Sequence, residues 1–522
     1  MCDRSANVAA HGHELSGMDK APHGSRQGTG GGAAVTVSIP ELPLVYLSDD
    51  ELALVNMLRA DLLSGRWHLQ LRDAYFNGEQ LVRDLGISIP PQLKGLHTVI
   101  GWPRVGVESL EERLDLEAFR WADGSDSSDL AEIAEANDLF DESSLAHLDS
   151  LIYGREYLAV GSGDCGGDDC PPLITVESPL DMTLLWDARL RMGTAALREC
   201  TADSYVESGP EERMLVLYLP DQTVTCLPSE SGGWEVIDRD MHGLGVVPVV
   251  RLANRQRTAD RVGKSEITPD VMSITDAACR RLMGIEVASE FFGAPQRYIL
   301  GASESAFQDA DGTAKSAWET YIGRVLALER DEDGNVPDVG QFAAHDPSGQ
   351  TKIIDLYARI MSSQFGLPPH MLGYTTDNPA SADAIRSTEA KLVKRSERRI
   401  RRFGSAWQQA MRLALWVRDG QPPDKARRIE TVWRNPATPT VAAAADATVK
   451  LVQAGILPAD SDVTLEMAGL TEGQRQRVAA DRRRSGAAAA GGGLMARLAA
   501  LNDQQTSQLP TAAEVSGGSN GL

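Results

Sequence analysis

Apolar positions along this chain follow two periods, and the switches between them divide it into regions. Ser48 and Glu51 stand at capping-box spacing ahead of Leu52, Val55, Leu58 and Leu62, which predicts an early amphipathic helix. Over 156–252 short β-rich runs alternate with turns, and the pattern predicts strands at 156–160, 173–177, 214–219, 223–227 and 246–252. Thr268 and Pro269 then supply an N-cap followed by proline at the first helical position. Val271, Ile274, Ala278, Leu282, Ile285 and Ala288 continue at three-to-four spacing until Gly293 and Pro295 stop the helix. At about 1.5 Å per residue this rod is roughly 37 Å long. A second rod opens at Asp346-Pro347 and closes at Gly366, with Pro368 beyond. Between the rods lies a short insert with strand-like runs at 296–300 and 324–329 and a turn at 331–335.

The second rod runs into a loop, Gly366 to Gly373, then a polar stretch, 374–381, and then one long basic helix. That helix carries Arg386, Lys391, Lys394, Arg395, Arg398, Arg399, Arg401 and Arg402 against Glu389 and Glu397, about +6 locally, in a chain whose net charge is −23. Advancing about 100° per residue from Lys391 places Arg395, Arg398 and Arg402 within roughly 40° of it. Leu392, Val393, Ile400, Phe403, Trp407 and Met411 fall on the opposite side. One apolar face and one cationic stripe are the expectation.

The termini differ from the middle. Residues 1–41 are rich in Gly, Ser, Ala and His without an apolar period, and 486–522 begin with an alanine-glycine spacer, so both ends are expected to be flexible tails. Over 438–484 the spacing of Ala442, Ala445, Val449, Leu451 and Val452 is helical up to the break at Gly455 to Pro458. With 522 residues, 42% hydrophobic and 24% charged, most of the chain is expected to fold into three or four structural units of α+β class. No apolar stretch approaches the roughly 18–20 residues of a membrane span, and the N-terminal stretch lacks a signal-peptide core, so no membrane partner is expected.

Recognised chemistry is missing from the sequence. Gly263-Lys264-Ser265 lacks the earlier glycine of a phosphate-cradling loop, its place being taken by Thr258, and Pro269 keeps the following helix from starting at the lysine. A tight turn entering the first rod is expected there instead. Cys165 and Cys170 have no second pair at metal spacing, and the six scattered cysteines fit a reducing compartment. Asp164, Asp168 and Asp169 sit in a glycine-rich loop expected to be a solvated tip. No catalytic residue, metal ligand or cofactor is assigned.

The order of these elements, together with several short stretches, resembles the portal proteins of tailed bacteriophages, in the long-tailed branch infecting Gram-positive and actinobacterial hosts. The stretches are Tyr75-Phe76-Asn77-Gly78-Glu79, Trp102-Pro103-Arg104-Val105 leading to Leu110-Glu111-Glu112-Arg113-Leu114, and Val247-Pro248-Val249-Val250 with Gly263-Lys264-Ser265-Glu266-Ile267. Further on come Gly366-Leu367-Pro368-Pro369, Ser381-Ala382-Asp383-Ala384-Ile385-Arg386 and Trp433-Arg434-Asn435-Pro436. The family more often has aspartate where Asn77 stands. The likeness spans about 42–484, and each motif is short, so their ordered succession carries it.

The resemblance implies a portal fold: a β-containing wing over 42–267, stem helices over 268–292 and 346–366, a small α/β clip over 293–345, a tunnel loop over 367–381, a long wing helix over 382–432 and a helical crown over 433–485. It implies a homo-oligomeric ring of twelve subunits at the capsid's portal vertex in the virion, assembled in the host cytoplasm. Double-stranded DNA would pass through the ring without sequence specificity. Implied partners are the terminase large subunit, head-completion or adaptor proteins, and the major capsid and scaffolding proteins. Tyr374, Thr375, Thr376, Asp377, Asn378 and Ser381 are the expected DNA-facing tunnel residues. Lys391, Arg395, Arg398 and Arg402 have three candidate neighbours, namely DNA, the adjacent subunit or solvent, and the expectation favours acidic residues of the adjacent wing. The alternative is a capsid or head-tail adaptor protein without a channel.

Overall fold

The computed structural model describes residues 44–80, 98–163, 170–201, 213–229, 233–292, 297–300, 338–341, 346–373, 382–424, 427–437 and 441–485. Both expected tails, the strand-like run 324–329, the turn 331–335, the acidic loop residues Asp164, Asp168 and Asp169, and residues 374–381 lie outside these. In chain order the first elements are β1 (Leu44–Val45), α1 (Asp49–Asn77), α2 (Trp102–Glu111), β2 (Leu116–Trp121), α3 (Ser128–Ala136), α4 (Leu139–Tyr153), β3 (Arg155–Gly161) and β4 (Leu173–Glu177). Then follow β5 (Met182–Asp187), β6 (Met192–Thr201), β7 (Arg213–Tyr218), β8 (Thr223–Pro228), β9 (Trp234–Asp240), β10 (Val249–Ala253) and α5 (Pro269–Phe292). The rest are β11 (Arg297–Leu300), β12 (Asp338–Gln341), α6 (Ser348–Phe365), α7 (Ala382–Asp419), β13 (Ile429–Trp433), α8 (Val441–Gln453) and α9 (Asp462–Met467), with residues 472–485 also helical.

The capping box at the start of α1 forms as its spacing requires. Glu51 N–H donates to Ser48 Oγ at 3.3 Å, and Ser48 N–H donates back to the Glu51 carboxylate at 2.9 Å. The same carboxylate takes two bonds from Arg239 of β9, at 2.9 and 3.0 Å. The Arg239 bond outweighs burial and holds the carboxyl down at about 2. Helix start and sheet edge are thereby tied together.

β5 to β9 run as an antiparallel meander, and β1 joins β9 in parallel, giving the order β1-β9-β8-β7-β6-β5. Successive side chains of a strand point to opposite faces. Ala195 and Leu197 accordingly pack with Val55 and Leu58 of α1, while Ala196 packs on the other side with Tyr157, Ala159 and Val249 of the β10-β3-β4 sheet. Both faces of the large sheet are covered. Arg59 of α1 reaches Glu199 of β6 at 2.9 Å, a buried ion pair that fixes the helix's rotation over the strands.

The largest core joins α1, α2, α4, β3, β10, α5, α6 and α7. Gly106 of α2 allows the ring of Phe365 in α6 to approach so closely that an added Cβ would lie 2.5 Å from it. Gly404 does the same for α7 against Thr431 of β13. The expected apolar face of α7 is inside: Leu392, Phe403, Trp407 and Met411 are buried, and Val393 and Ile400 are half-buried. Trp407 donates its indole N–H to Nε2 of His147 in α4 at 3.0 Å, and His147 stacks on Phe403. Complete burial lowers the His147 pKa to about 3, so the ring is neutral with its proton on Nδ1.

Several elements go beyond the sequence expectations. The five strands expected over 156–252 are present within a residue or so at their ends, except that β10 begins at Val249. β5, β6 and β9 complete the meander, and β2 pairs antiparallel with β13, Ile429 opposite Trp121. The region expected to be long helix over 382–432 is helical to Asp419, and Trp433 ends a strand. Of the six cysteines, Cys200, Cys226 and Cys279 are free and buried, whereas Cys170 is disulfide-bonded, a departure from the expected reduced set.

The turn expected at Gly263-Lys264-Ser265 is a backbone knot. Gly263 has φ +117°, and a Cβ there would sit 2.1 Å from the Gly154 carbonyl oxygen. Replacing Gly263 by alanine is expected to cost at least ~2 kcal/mol. Gly65, inside α1 with nothing within 4 Å of an added Cβ, should instead gain ~0.5–1 kcal/mol as alanine. Urea denaturation of the two variants checks both signs, and equal effects would contradict this packing.

Candidate functional site

Past the Gly263 turn, the chain delivers Glu266 into the interior two residues before the Thr268 cap of α5. Ser265 donates its hydroxyl to the Ile152 carbonyl, Glu266 N–H donates to Leu151 O at 2.9 Å, and Met272 N–H donates to Thr268 O at 3.0 Å. The Glu266 side chain is 1% exposed and accepts from Arg395 and Arg399 of α7, from Arg255 at 3.5 Å and from Asn254 Nδ2 at 3.0 Å. Burial alone would raise its pKa. The guanidiniums of Arg399, Arg395 and Arg255, with the Asn254 amide, more than reverse that and hold it below the ordinary carboxylate value.

Arg395 has a second set of acceptors. Its Nη1 donates to the carbonyls of Gln364, at 3.0 Å, and Phe365, in the last turn of α6. Lys391 Nζ donates to Ser363 O at 3.1 Å. These are carbonyls that a helix end leaves without intrahelical partners, and cations there also oppose the negative end of the helix dipole. Gly366 closes α6 at φ +71°, and an added Cβ would press on Arg395 and Lys391 at 3.2 Å. Burial lowers the Arg395 pKa despite Glu266, but a guanidinium starts so high that it stays charged. One side chain of α7 thus holds the N-terminal end of α5 and the C-terminal end of α6 together. At their far ends Gly284 of α5 comes close to Gln350 of α6, so the two rods run antiparallel. The next described strands, β11 and β12, pair with Arg297 opposite Gln341.

The four residues of the expected stripe therefore do not form one surface. Lys391 and Arg395 bind carbonyls of their own chain, and Arg402 donates to Gln256 Oε1 at 2.7 Å. Arg398 is exposed and lines a recess of about 660 Å³ together with Arg255, Arg257, Lys264, Arg401 and Arg402. Arg399, which the wheel leaves outside the stripe, is the second ligand of Glu266. The expected tunnel residues Tyr374, Thr375, Thr376, Asp377, Asn378 and Ser381 lie outside the described residues. Among the described residues no group of three or more His, Cys, Asp or Glu side chains is placed to hold a metal ion, and no helix is long and apolar enough to cross a membrane.

The described site is thus a structural joint between two antiparallel rods and a long helix, with a cationic face beside it. A family model described as phage portal protein, SPP1 Gp6-like, matches residues 58–472, and the chain belongs to this family. The portal protein of Mycobacterium phage D29 is 38% identical over 390 residues, covering 74% of this chain and 79% of that protein. The portal protein of Mycobacterium phage L5 is 37% identical over 385 residues, covering 72% and 77%. A solved structure described as the neck of a native GTA particle aligns at 13% identity over 70% of this chain and 89% of that one, with a TM-score of 0.40.

Because Glu266 is a carboxylate whose pKa falls on folding, its contribution is present above the unfolded value of about 4.3 and is lost as pH drops through the folded value. Glu266→Gln is expected to cost ~3–5 kcal/mol at pH 7, since two buried guanidiniums lose their counter-charge. The gap between variant and native protein should narrow below about pH 4. Denaturant midpoints at both pH values test this, and a gap that ignores pH would count against the clamp.

Proposed function

We propose that this portal-family chain assembles into a closed ring of identical subunits, twelve in number, at one vertex of the phage capsid. Double-stranded DNA passes through the central channel during packaging and ejection. In this reading α5 and α6 form the stem, the segment between them carries the clip, α7 is the long wing helix, and α8 with the helices after it forms the crown. The observation that carries the reading is the Glu266–Arg395 joint. It ties one end of an antiparallel rod pair to α7, and in this reading the other end, toward β11 and β12, projects as the stem and clip. A ring of such subunits repeats one heterologous interface and closes on itself.

The charge balance suits a conduit. Each cation fixed on a phosphate releases counterions and holds the duplex, so a wall rich in such contacts would clamp the genome. A net charge of −23 per subunit, repeated around a ring, gives an anionic wall past which DNA slides. Tyr374, Thr375, Thr376, Asp377, Asn378 and Ser381 are proposed as the small polar contacts at the lumen. The terminase large subunit would dock on the clip, followed by head-completion or adaptor proteins. The major capsid and scaffolding proteins would meet the outer wing, and assembly would take place in the host cytoplasm before the ring enters the virion.

End-on electron micrographs of the purified full-length chain test this directly. The expected result is an annular particle with rotational symmetry and an open centre. A monomer under all assembly conditions, or a solid particle without a hole, would overturn it.

A further inference from the structure

Beside the joint, the chain carries more positive charge than it neutralises. The recess lined by Arg255, Arg257, Lys264, Arg398, Arg401 and Arg402 adjoins a second of about 640 Å³, to which Arg191 and Arg261 contribute. Among the described residues no carboxylate lines either recess. Glu266 lies beneath, engaged with Arg395, Arg399 and Arg255, while Asp260 pairs with Lys264 at 4.0 Å and accepts from Val262 N–H at 3.2 Å. Arg257, Arg398 and Arg401 make no ion pair with described residues. Arg398, Arg401 and Arg402 are exposed, so their guanidiniums remain open to a partner that accepts hydrogen bonds and carries negative charge.

The chain also holds a matching anionic surface. From Ala122 to Gly154 there are nine Asp and Glu and no Lys or Arg. Asp123, Asp126, Glu132, Glu135, Asp138 and Asp141 are exposed along the β2–α3 turn, α3 and the start of α4. Among the described residues, Arg418, bound to Asp419, Arg427, laid over the Trp121 ring, and exposed Arg428, whose carbonyl accepts from Ala122 N–H at 2.8 Å, come near from the neighbouring elements, three cations against nine carboxylates. Arg418 lies sixteen residues beyond Arg402 on α7, about 24 Å along the helix axis, so the two surfaces do not meet within one subunit.

We infer that the cationic recess of one subunit receives the acidic 123–141 surface of a second copy, and that this contact is part of the heterologous interface closing the ring. The inference rests on the ring proposed above and names the two surfaces that meet in it. A phosphate backbone is the disfavoured occupant, since so many fixed cations on the channel wall would hold DNA rather than let it slide. Complementary charge also steers subunits into one register and rejects others.

The test is a charge-swap series in the full-length chain. Arg398→Glu with Arg401→Glu alters the recess, and Glu132→Lys with Glu135→Lys alters the acidic surface. All four side chains are exposed at least in part, and an unchanged melting temperature establishes that each variant folds. Native mass measurement should find that each pair of substitutions raises the concentration needed for ring assembly about tenfold or more, and that the chain carrying all four recovers assembly. Rings that form normally with either pair, or a fourfold variant that stays dissociated, would overturn the pairing of these surfaces. Intact rings from the recess variant that fail to retain DNA would assign the recess to phosphate instead. Failure of the native chain to form any ring would sink the proposed function itself, which separates the two outcomes.

Discussion

One carboxylate, taken almost completely out of water, sets the relation between the three longest helices around the joint. Moving a charge into the interior costs several kcal/mol, and only close counter-charges with good hydrogen bonds recover it. Glu266 has Arg395 and Arg399 on one side and Arg255 and Asn254 on the other. This cost makes the arrangement specific. A shift of α7 by one residue relative to α5 would move both guanidiniums about 100° around the helix and leave the carboxylate bare. An apolar contact would tolerate such a slip; the charged one does not.

The rest of the architecture is organised about that node. The α1-covered meander and the β10-β3-β4 sheet form a two-sided body whose last strand leads through the Gly263 turn directly to Glu266. α7 leaves the node with Phe403, Trp407 and Met411 buried against α4 and β13, so the long helix is seated at both its middle and its C-terminal half. α5 and α6 depart from the node side by side. Arg395 and the carbonyls it holds tie this rod pair to α7.

Local chemistry was legible in the sequence wherever a single segment supplies both halves of an interaction. The Ser48–Glu51 box, the Thr268-Pro269 start of α5, the Gly366 end of α6 and the buried face of α7 all follow from spacing within one or two turns. For the second rod, Asp346 bonds Ser348 N–H at 2.9 Å, and the helix begins one residue later than the Asp-Pro pair suggested. What could not be read was pairing across distance. β2 and β13 acquire their strand character from each other, about 310 residues apart, and neither alternates strongly by itself. Glu266 and Arg395 are 129 residues apart, so a helical wheel could place Arg395 on a cationic stripe but could not show that its partner lies in its own chain. The same wheel left Arg399, the other ligand of that carboxylate, off the stripe.

The most direct measurement of this account is a double-mutant cycle between Glu266→Gln and Arg399→Met, read as unfolding free energies at pH 7. The clamp predicts that the two losses overlap, with a coupling of at least ~1.5 kcal/mol, because removing either charge already strands the other. Additive losses, agreeing within ~0.5 kcal/mol, would mean that the carboxylate and the guanidinium contribute independently and that the joint is not what orders these helices.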